Sequence, residues 1–319
     1  MHKKRVGIIG CGYWGSILIC NFNNHADVDV TSVCDPDQEL LNNIKPLYPK
    51  IKTTKRFEEI TQDKDIDAVV IATPASIHFP IALDALTYGK DVFCEKPLTM
   101  KSEESKELIN IAKINKCILM VGHVFLFNPG IIKLKEIIKS GEHGNDFFYM
   151  LSQRTNLGPV RNDVNVVHDL ASHDISIFNF LFESIPKVLS ALGVSSLQND
   201  LEDAAFITLE YPSNIIVQVY VSWMHFPKVR KISLIGDKKT VLWDDLSPDS
   251  SLQLFLEKKM ESVFIEKIEP LKIEVDHFIK CIQNRQTPVC DGENGYNVVK
   301  VLEEINLIIA SQRKNKLLA

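Results

Sequence analysis

The apolar stretch Arg5–Gly10 runs straight into Gly10-Cys11-Gly12-Tyr13-Trp14-Gly15, a G-x-G-x-x-G pattern. Few features restrict a fold more tightly, because each glycine answers a different steric demand. Gly10 permits a tight turn, Gly12 lets a bulky anion approach the backbone, and Gly15 lets a helix press against a strand. The pattern predicts strand, turn and then a helix from about Trp14 to Asn23. Amides near Tyr13 and Trp14, at that helix's N-terminus, can face an anion.

Asp35 narrows the anion. It closes a second strand, Val28–Cys34, and stands 20 residues after Gly15. A carboxylate there accepts hydrogen bonds from ribose hydroxyls and repels a 2′-phosphate. Pro36 follows, and no arginine lies near to neutralise such a phosphate. The expected ligand is a dinucleotide, NAD in preference to NADP. Taken alone, Asp35 also reads as a turn residue or helix cap.

Strand and helix continue to alternate. Ala68–Ala72, Asp91–Glu95 and Ile118–Gly122 read as strands, and Asp37–Leu47, Ile77–Tyr88 and Ser102–Asn115 as helices, Ser102 being the expected N-cap. Such alternation requires right-handed crossovers and a mostly parallel sheet. The pattern changes after Gly122. A helix is expected over Gly130–Lys139, a strand over Asp146–Gln153 and a helix over Asp169–Phe182. The runs Val188–Val194, Ala204–Tyr211, Ile215–Trp223, Lys231–Ile235 and Thr240–Trp243 are β-rich, with turns such as Pro212-Ser213-Asn214 between them, so an antiparallel sheet is expected. Helices over Leu271–Asn284 and Asn294–Ser311 close the chain. The fold class is α/β. Residues 1–122 form a Rossmann domain, a doubly wound parallel sheet, and residues 123–319 a second α/β domain packed directly on it, leaving a cleft for ligands.

Composition excludes several partners. A net charge of −5 on 319 residues argues against nucleic acid and anionic membranes. The seven cysteines form no C-x-x-C pair and read as the reduced thiols of a cytoplasmic protein, neither a disulfide framework nor a zinc site.

Two further patterns bear on chemistry. Glu95-Lys96-Pro97 ends a buried strand, and in open α/β sheets ligands bind at the carboxyl ends of strands, so Lys96 is expected at the nicotinamide end of the site. Asp169 and His173 are four apart within a helical stretch, which puts them on one face. A carboxylate there orients an imidazole and stabilises its charged form, so His173 can take a hydroxyl proton. The same spacing fits a polar helix cluster. A metal set from His168, Asp169, His173 and Asp174 is the weaker reading, and no metal is expected.

Together these residues resemble the glucose–fructose oxidoreductase, inositol dehydrogenase and rhizopine-catabolism family, abbreviated Gfo/Idh/MocA. The resemblance rests on Gly10–Gly15 with Asp35, Ala72-Thr73-Pro74 with His78, Glu95-Lys96-Pro97, Gly122-His123, Asp169-x3-His173 and Glu269-Pro270-Leu271. It implies a second domain with a large open, mostly antiparallel sheet, homo-oligomers (tetramers or dimers) through that sheet, and a cis Lys96–Pro97 peptide. By the same resemblance Thr73, Pro74, His78, Glu95 and Lys96 line the cofactor. Lys96, Asp169 and His173 form the catalytic set, with His173 as base, Asp169 as its support and Lys96 polarising the developing carbonyl.

The stretch Arg154–Asn165, with Gly122–Pro129, is similar to the bacterial UDP-N-acetylglucosamine 3-dehydrogenases that precede an aminotransferase. That likeness implies a UDP-linked sugar nucleotide as substrate, with Arg154, Asn156, Arg161, Asn165 and His173 as binding residues. Arginine suits a diphosphate because its planar fork matches phosphate oxygens. Bracing of a loop or interface by the two arginines is the alternative. A free sugar or polyol such as inositol is the alternative substrate, and a dinucleotide-binding regulator without catalysis the alternative outside enzymes.

Overall fold

A computed structural model describes residues 3–140, 147–198, 201–248, 252–257 and 259–318. The chain divides into two compact units. One comprises Met1–Val124 and Glu269–Val299, the other Phe125–Ile268 and Lys300–Ala319.

The first unit is built on six parallel strands: β1 (Lys4–Ile9), β2 (Val28–Cys34), β3 (Lys52–Thr54), β4 (Ala68–Ile71), β5 (Asp91–Glu95) and β6 (Leu119–Gly122). Their order, β3-β2-β1-β4-β5-β6, is that of the doubly wound dinucleotide-binding sheet. The order reverses between β1 and β4, and that switch point is where such sheets open to a ligand. β4 is buried at all four positions, as a strand covered on both faces requires. Connecting helices are α1 (Tyr13–Asn23), α2 (Gln38–Leu47), α3 (Glu58–Thr61), α4 (His78–Thr87) and α5 (Ser102–Asn115). Asp37 caps α2 by accepting the Glu39 amide at 2.8 Å. Ser102 is already inside α5, and Lys101 takes the cap position.

The second unit holds α6 (Pro129–Ser140), β7 (Phe147–Leu157), α7 (Ser172–Phe182), β8 (Lys187–Val194), β9 (Ala204–Tyr211), β10 (Ile215–Ser222), β11 (Met224–Gly236), β12 (Lys239–Asp244), β13 (Leu252–Leu256) and β14 (Lys259–Ser262). Its eight strands run in the order β14-β13-β12-β11-β7-β10-β9-β8. Neighbours are antiparallel apart from β10 against β7, which are parallel. Alternation along the strands sends Met150, Ser152 and Arg154 to the buried face and leaves Tyr149 and Leu151 exposed. Asp146, expected to begin β7, lies outside the described residues. The short strands β3, β13 and β14 are additions to the sequence reading; at three to five residues they carry too little alternation to be recognised.

The chain closes with α8 (Pro270–Asn284) and α9 (Gly292–Leu318). Chain order places α8 in the second domain, yet it clusters with the first unit. The cause is packing: Phe278 of α8 meets Phe22 and Phe93 edge-on, with ring centroids 6.2 and 5.7 Å away. Glycine opens room elsewhere in this core, since a Cβ on Gly295 would sit 2.6 Å from Val121.

Candidate active site

The phosphate loop is assembled by the glycines in three distinct ways. Gly10 has φ +98°, a conformation that an L side chain resists, and a Cβ there would lie 2.5 Å from the Ala72 carbonyl oxygen at the end of β4. A Cβ on Gly15 would be 2.0 Å from the Gly10 oxygen, so α1 can pack this closely only on glycine. Gly12 faces open space, where a phosphate can approach. It also precedes α1 without any side-chain cap, which leaves the first amides of the helix, at Tyr13 and Trp14, for an anion.

Asp35 is buried, and both oxygens are in use. Oδ2 accepts the Cys11 amide at 2.8 Å and Oδ1 the Asp37 amide at 2.9 Å. These bonds fasten the acid to the glycine loop, and each oxygen keeps a second lone pair for a ribose hydroxyl. The Thr73 hydroxyl, just after β4, is buried with no hydrogen-bond partner among the described residues, an orphan of the kind a ligand satisfies. Cradle, acid and orphan hydroxyl together fit a dinucleotide.

Glu95-Lys96-Pro97 follows β5. The Lys96–Pro97 peptide is cis. Glu95 accepts Trp14 Nε1 at 2.5 Å and the Lys96 amide at 3.3 Å, tying the strand end to the phosphate loop. Burial pushes its carboxyl up to about 7, against the opposing pull of Trp14 and Lys96. His78, expected to line the cofactor, also has a structural part. It is 1% exposed, and its ring nitrogens lie 2.8 and 2.9 Å from the carbonyl oxygens of Pro97 and Thr73. It staples the chain after β4 to the chain after β5.

In the second unit, Asp169 and His173 lie on one helical run. Val167–Ala171 is a π-helical turn that continues directly into α7. Asp169 accepts the Trp223 indole N–H at 3.1 Å, which anchors the carboxylate. The His173 ring stands edge-on to Phe125, with centroids 5.0 Å apart and planes at 75°.

The arginine expected to hold a diphosphate is committed elsewhere. Arg154 is 2% exposed; its Nε donates to Asp174 Oδ2 at 2.9 Å and its Nη2 to Oδ1 at 3.3 Å. Ser152 also donates to Asp174, at 2.8 Å, and the guanidinium sits 4.3 Å over the Phe125 ring. The period of β7 explains this: Arg154 shares the inward face with Met150 and Ser152. Asn165 is likewise buried and donates to Glu202 and Asn306 at 2.5 and 2.7 Å. Asn156 donates to the Gly158 carbonyl. Of the expected substrate residues in this stretch, Arg161 is the exposed one, and it pairs with Asp163 at 3.2 Å.

Two family models cover most of the chain. One, described as "Oxidoreductase family, NAD-binding Rossmann fold", matches residues 4–123, and the GFO/IDH/MocA C-terminal domain matches residues 131–242. The chain belongs to the GFO/IDH/MocA oxidoreductase family. It is 22% identical over 317 residues to the uncharacterized oxidoreductase YrbE of Bacillus subtilis, covering 94% of this chain and 93% of that one. It is 26% identical over 221 residues to inositol 2-dehydrogenase of Corynebacterium glutamicum (strain R), covering 67% and 66%. Its fold is that of UDP-N-acetylglucosamine 3-dehydrogenase GnnA from Acidithiobacillus ferrooxidans, with TM-score 0.86, 23% identity and coverage of 98% and 99%. The cofactor of this oxidoreductase is NAD.

This GFO/IDH/MocA protein also carries buried groups to which no sequence pattern assigned a role. Glu274 of α8 is fully buried, and neither carboxylate oxygen has a hydrogen-bond partner among the described residues. Burial, with Glu95 adding, holds its carboxyl well above the usual range. His123 is 1% exposed, neither ring nitrogen has a hydrogen-bond partner among the described residues, and burial, with Lys96 adding, pushes it down to about 3. A carboxyl whose pKa rises on folding keeps its proton in the native state while the unfolded chain releases it above the ordinary value of 4.5. Stability therefore falls as pH rises through that window, by up to about 1.4 kcal/mol per pH unit for each retained proton. Glu274→Gln, neutral in both states, is expected to show a shallower decline than the native protein between pH 5.5 and 6.5. Urea unfolding without cofactor measures it, and parallel declines would mean that Glu274 ionises normally.

Proposed function

We propose that this protein is an NAD-dependent dehydrogenase that oxidises a sugar hydroxyl to a ketone, with the 3-hydroxyl of UDP-N-acetylglucosamine as the favoured target. The observation that carries the reading is the Asp169–His173 helical run. Its carboxylate is anchored by Trp223 and its imidazole is packed on Phe125. Bound NAD supplies the hydride acceptor. His173 takes the hydroxyl proton, and Asp169 favours the imidazolium that results. The Lys96 ammonium donates a hydrogen bond to the same oxygen as carbonyl character develops. The likeness in fold to GnnA supports the choice of sugar nucleotide.

A free polyol is the second reading, because Arg154 is spent on Asp174 and a relative is an inositol 2-dehydrogenase. A panel of UDP-sugars and myo-inositol, assayed for NADH formation with a carbonyl trap, separates the two. Turnover of UDP-N-acetylglucosamine with NAD is the expected result. Turnover of inositol alone would replace the first reading with the second.

The 3-keto product suits an aminotransferase as the next enzyme, in the cytoplasm. The open face of the second sheet supports self-association. Tyr149, Leu151, Phe206 and Leu192 are 42–53% exposed there, and Phe206 stacks on Tyr220 at 4.7 Å. Sedimentation is expected to show a dimer or tetramer of the 36.1 kDa chain; a monomer at micromolar concentration would count against it.

A further inference from the structure

With Arg154 buried on Asp174, the chain shows a different cationic group beside His173. β11 pairs with β7 so that Arg230 stands directly opposite Arg154. Like charges in that position repel. Both guanidinium groups nevertheless lie over the same Phe125 ring, Arg154 at 4.3 Å and Arg230 at 5.5 Å. Phe125 in turn touches the His173 ring at 5.0 Å. One aromatic ring thus links the proposed base to two arginines.

Lys228 adds a third cation. The register shifts between Met224 and Val229, so His225–Lys228 bulge out of the β11–β7 pairing, with Lys228 exposed two residues before Arg230. The nearby carboxylates are already in use. Asp174 serves Arg154. Asp245 accepts Arg230 Nη1 at 3.1 Å on one oxygen and Asn128 at 3.1 Å on the other. Three cations therefore face two carboxylates. Arg230, followed by partial burial and then Arg154, lowers the Lys228 ammonium below its usual range despite Asp245. A cation held among cations without its own counter-ion among the described residues is a surplus of positive potential, which an anion relieves.

We propose that Lys228 and Arg230 are the anion-recognising pair of the substrate site, and that they take a phosphate or diphosphate group of the substrate. Arg230 is 32% exposed at its side chain, so part of its fork stays open to an incoming oxygen. A hexose ring carrying phosphate on C1 and the reacting hydroxyl on C3 needs a base and a cation on one patch; the His173 ring centre and the Arg230 guanidinium lie 5.0 and 5.5 Å from the Phe125 ring centre, which bounds their separation to the scale of a hexose diphosphate. This deepens the sugar-nucleotide reading and rests on it for the identity of the hydroxyl, although the anion pair itself stands on the geometry.

The test uses the full chain with saturating NADH and two probes, UDP and inorganic pyrophosphate, titrated by calorimetry. The native protein is expected to bind both, more weakly as salt rises. Lys228→Ala should weaken binding at least fivefold and Lys228→Glu at least tenfold, with NADH affinity and melting temperature unchanged because Lys228 is exposed. Uridine, which lacks phosphate, should respond to neither substitution. Native-like affinity of Lys228→Glu for both anions would overturn the proposal, as would failure of the native protein to bind either anion. Lys228-dependent pyrophosphate binding without turnover of UDP-N-acetylglucosamine would keep the anion pair and remove the substrate assignment.

Discussion

Replacing Asp174 with alanine is expected to cost about 3–5 kcal/mol of folding stability, because it strands a buried guanidinium. Arg154 and Asp174 have side chains 3% and 1% exposed, and their ion pair is two-pronged. The pair's net worth is much smaller than the cost of breaking it, since two charges had to be desolvated to make it. The double substitution Arg154→Met, Asp174→Leu should therefore lose less than either single alanine variant. Urea unfolding of the three variants measures this. A loss below about 1 kcal/mol for Asp174→Ala would mean that Arg154 can leave the pair. Arg154 would then be available to a ligand after all. The same variant should also lower turnover, because the guanidinium supports the Phe125 ring against which His173 rests.

His173→Ala is expected to lower kcat by about 10²–10⁴, the usual contribution of a positioned acid–base group. NADH affinity should stay within about twofold, since the phosphate loop and Asp35 lie in the other compact unit. Lys96→Ala should lower kcat over a comparable range through lost stabilisation of charge on oxygen. Fluorescence titration with NADH and steady-state assays on the substrate found by the UDP-sugar panel separate binding from chemistry. A kcat within tenfold of native for His173→Ala would remove it from the proton-transfer role and favour a base elsewhere.

Legibility differed sharply between the dinucleotide loop and the residues proposed for substrate. The loop's demands are local. Gly10, Gly12 and Gly15 answer to backbone geometry within one turn, and Asp35 to the end of an adjacent strand. The structure added how they are tied together, through the Cys11 amide on Asp35 and the Trp14 indole on Glu95. His78 could be read as belonging to this region but not as a staple between Thr73 and Pro97. The residues proposed for substrate were less legible. Arg154 and Arg161 look alike in sequence, yet strand period turns one inward, where Asp174 takes it.

By itself, the sequence determined the alternating strand–helix unit, the glycine turn that opens its first helix and the place of Asp35 at the end of the adjacent strand, since these follow from steric and hydrogen-bonding needs within a short stretch of chain. Tertiary structure alone decided that α8 belongs with the first unit, that Arg154 is a buried ion-pair member and that Arg230 lies over Phe125. Those outcomes depend on which strands become neighbours, as β7 and β11 do across more than 60 intervening residues. Charge and burial at each position are properties of such neighbours, and no local pattern encodes them.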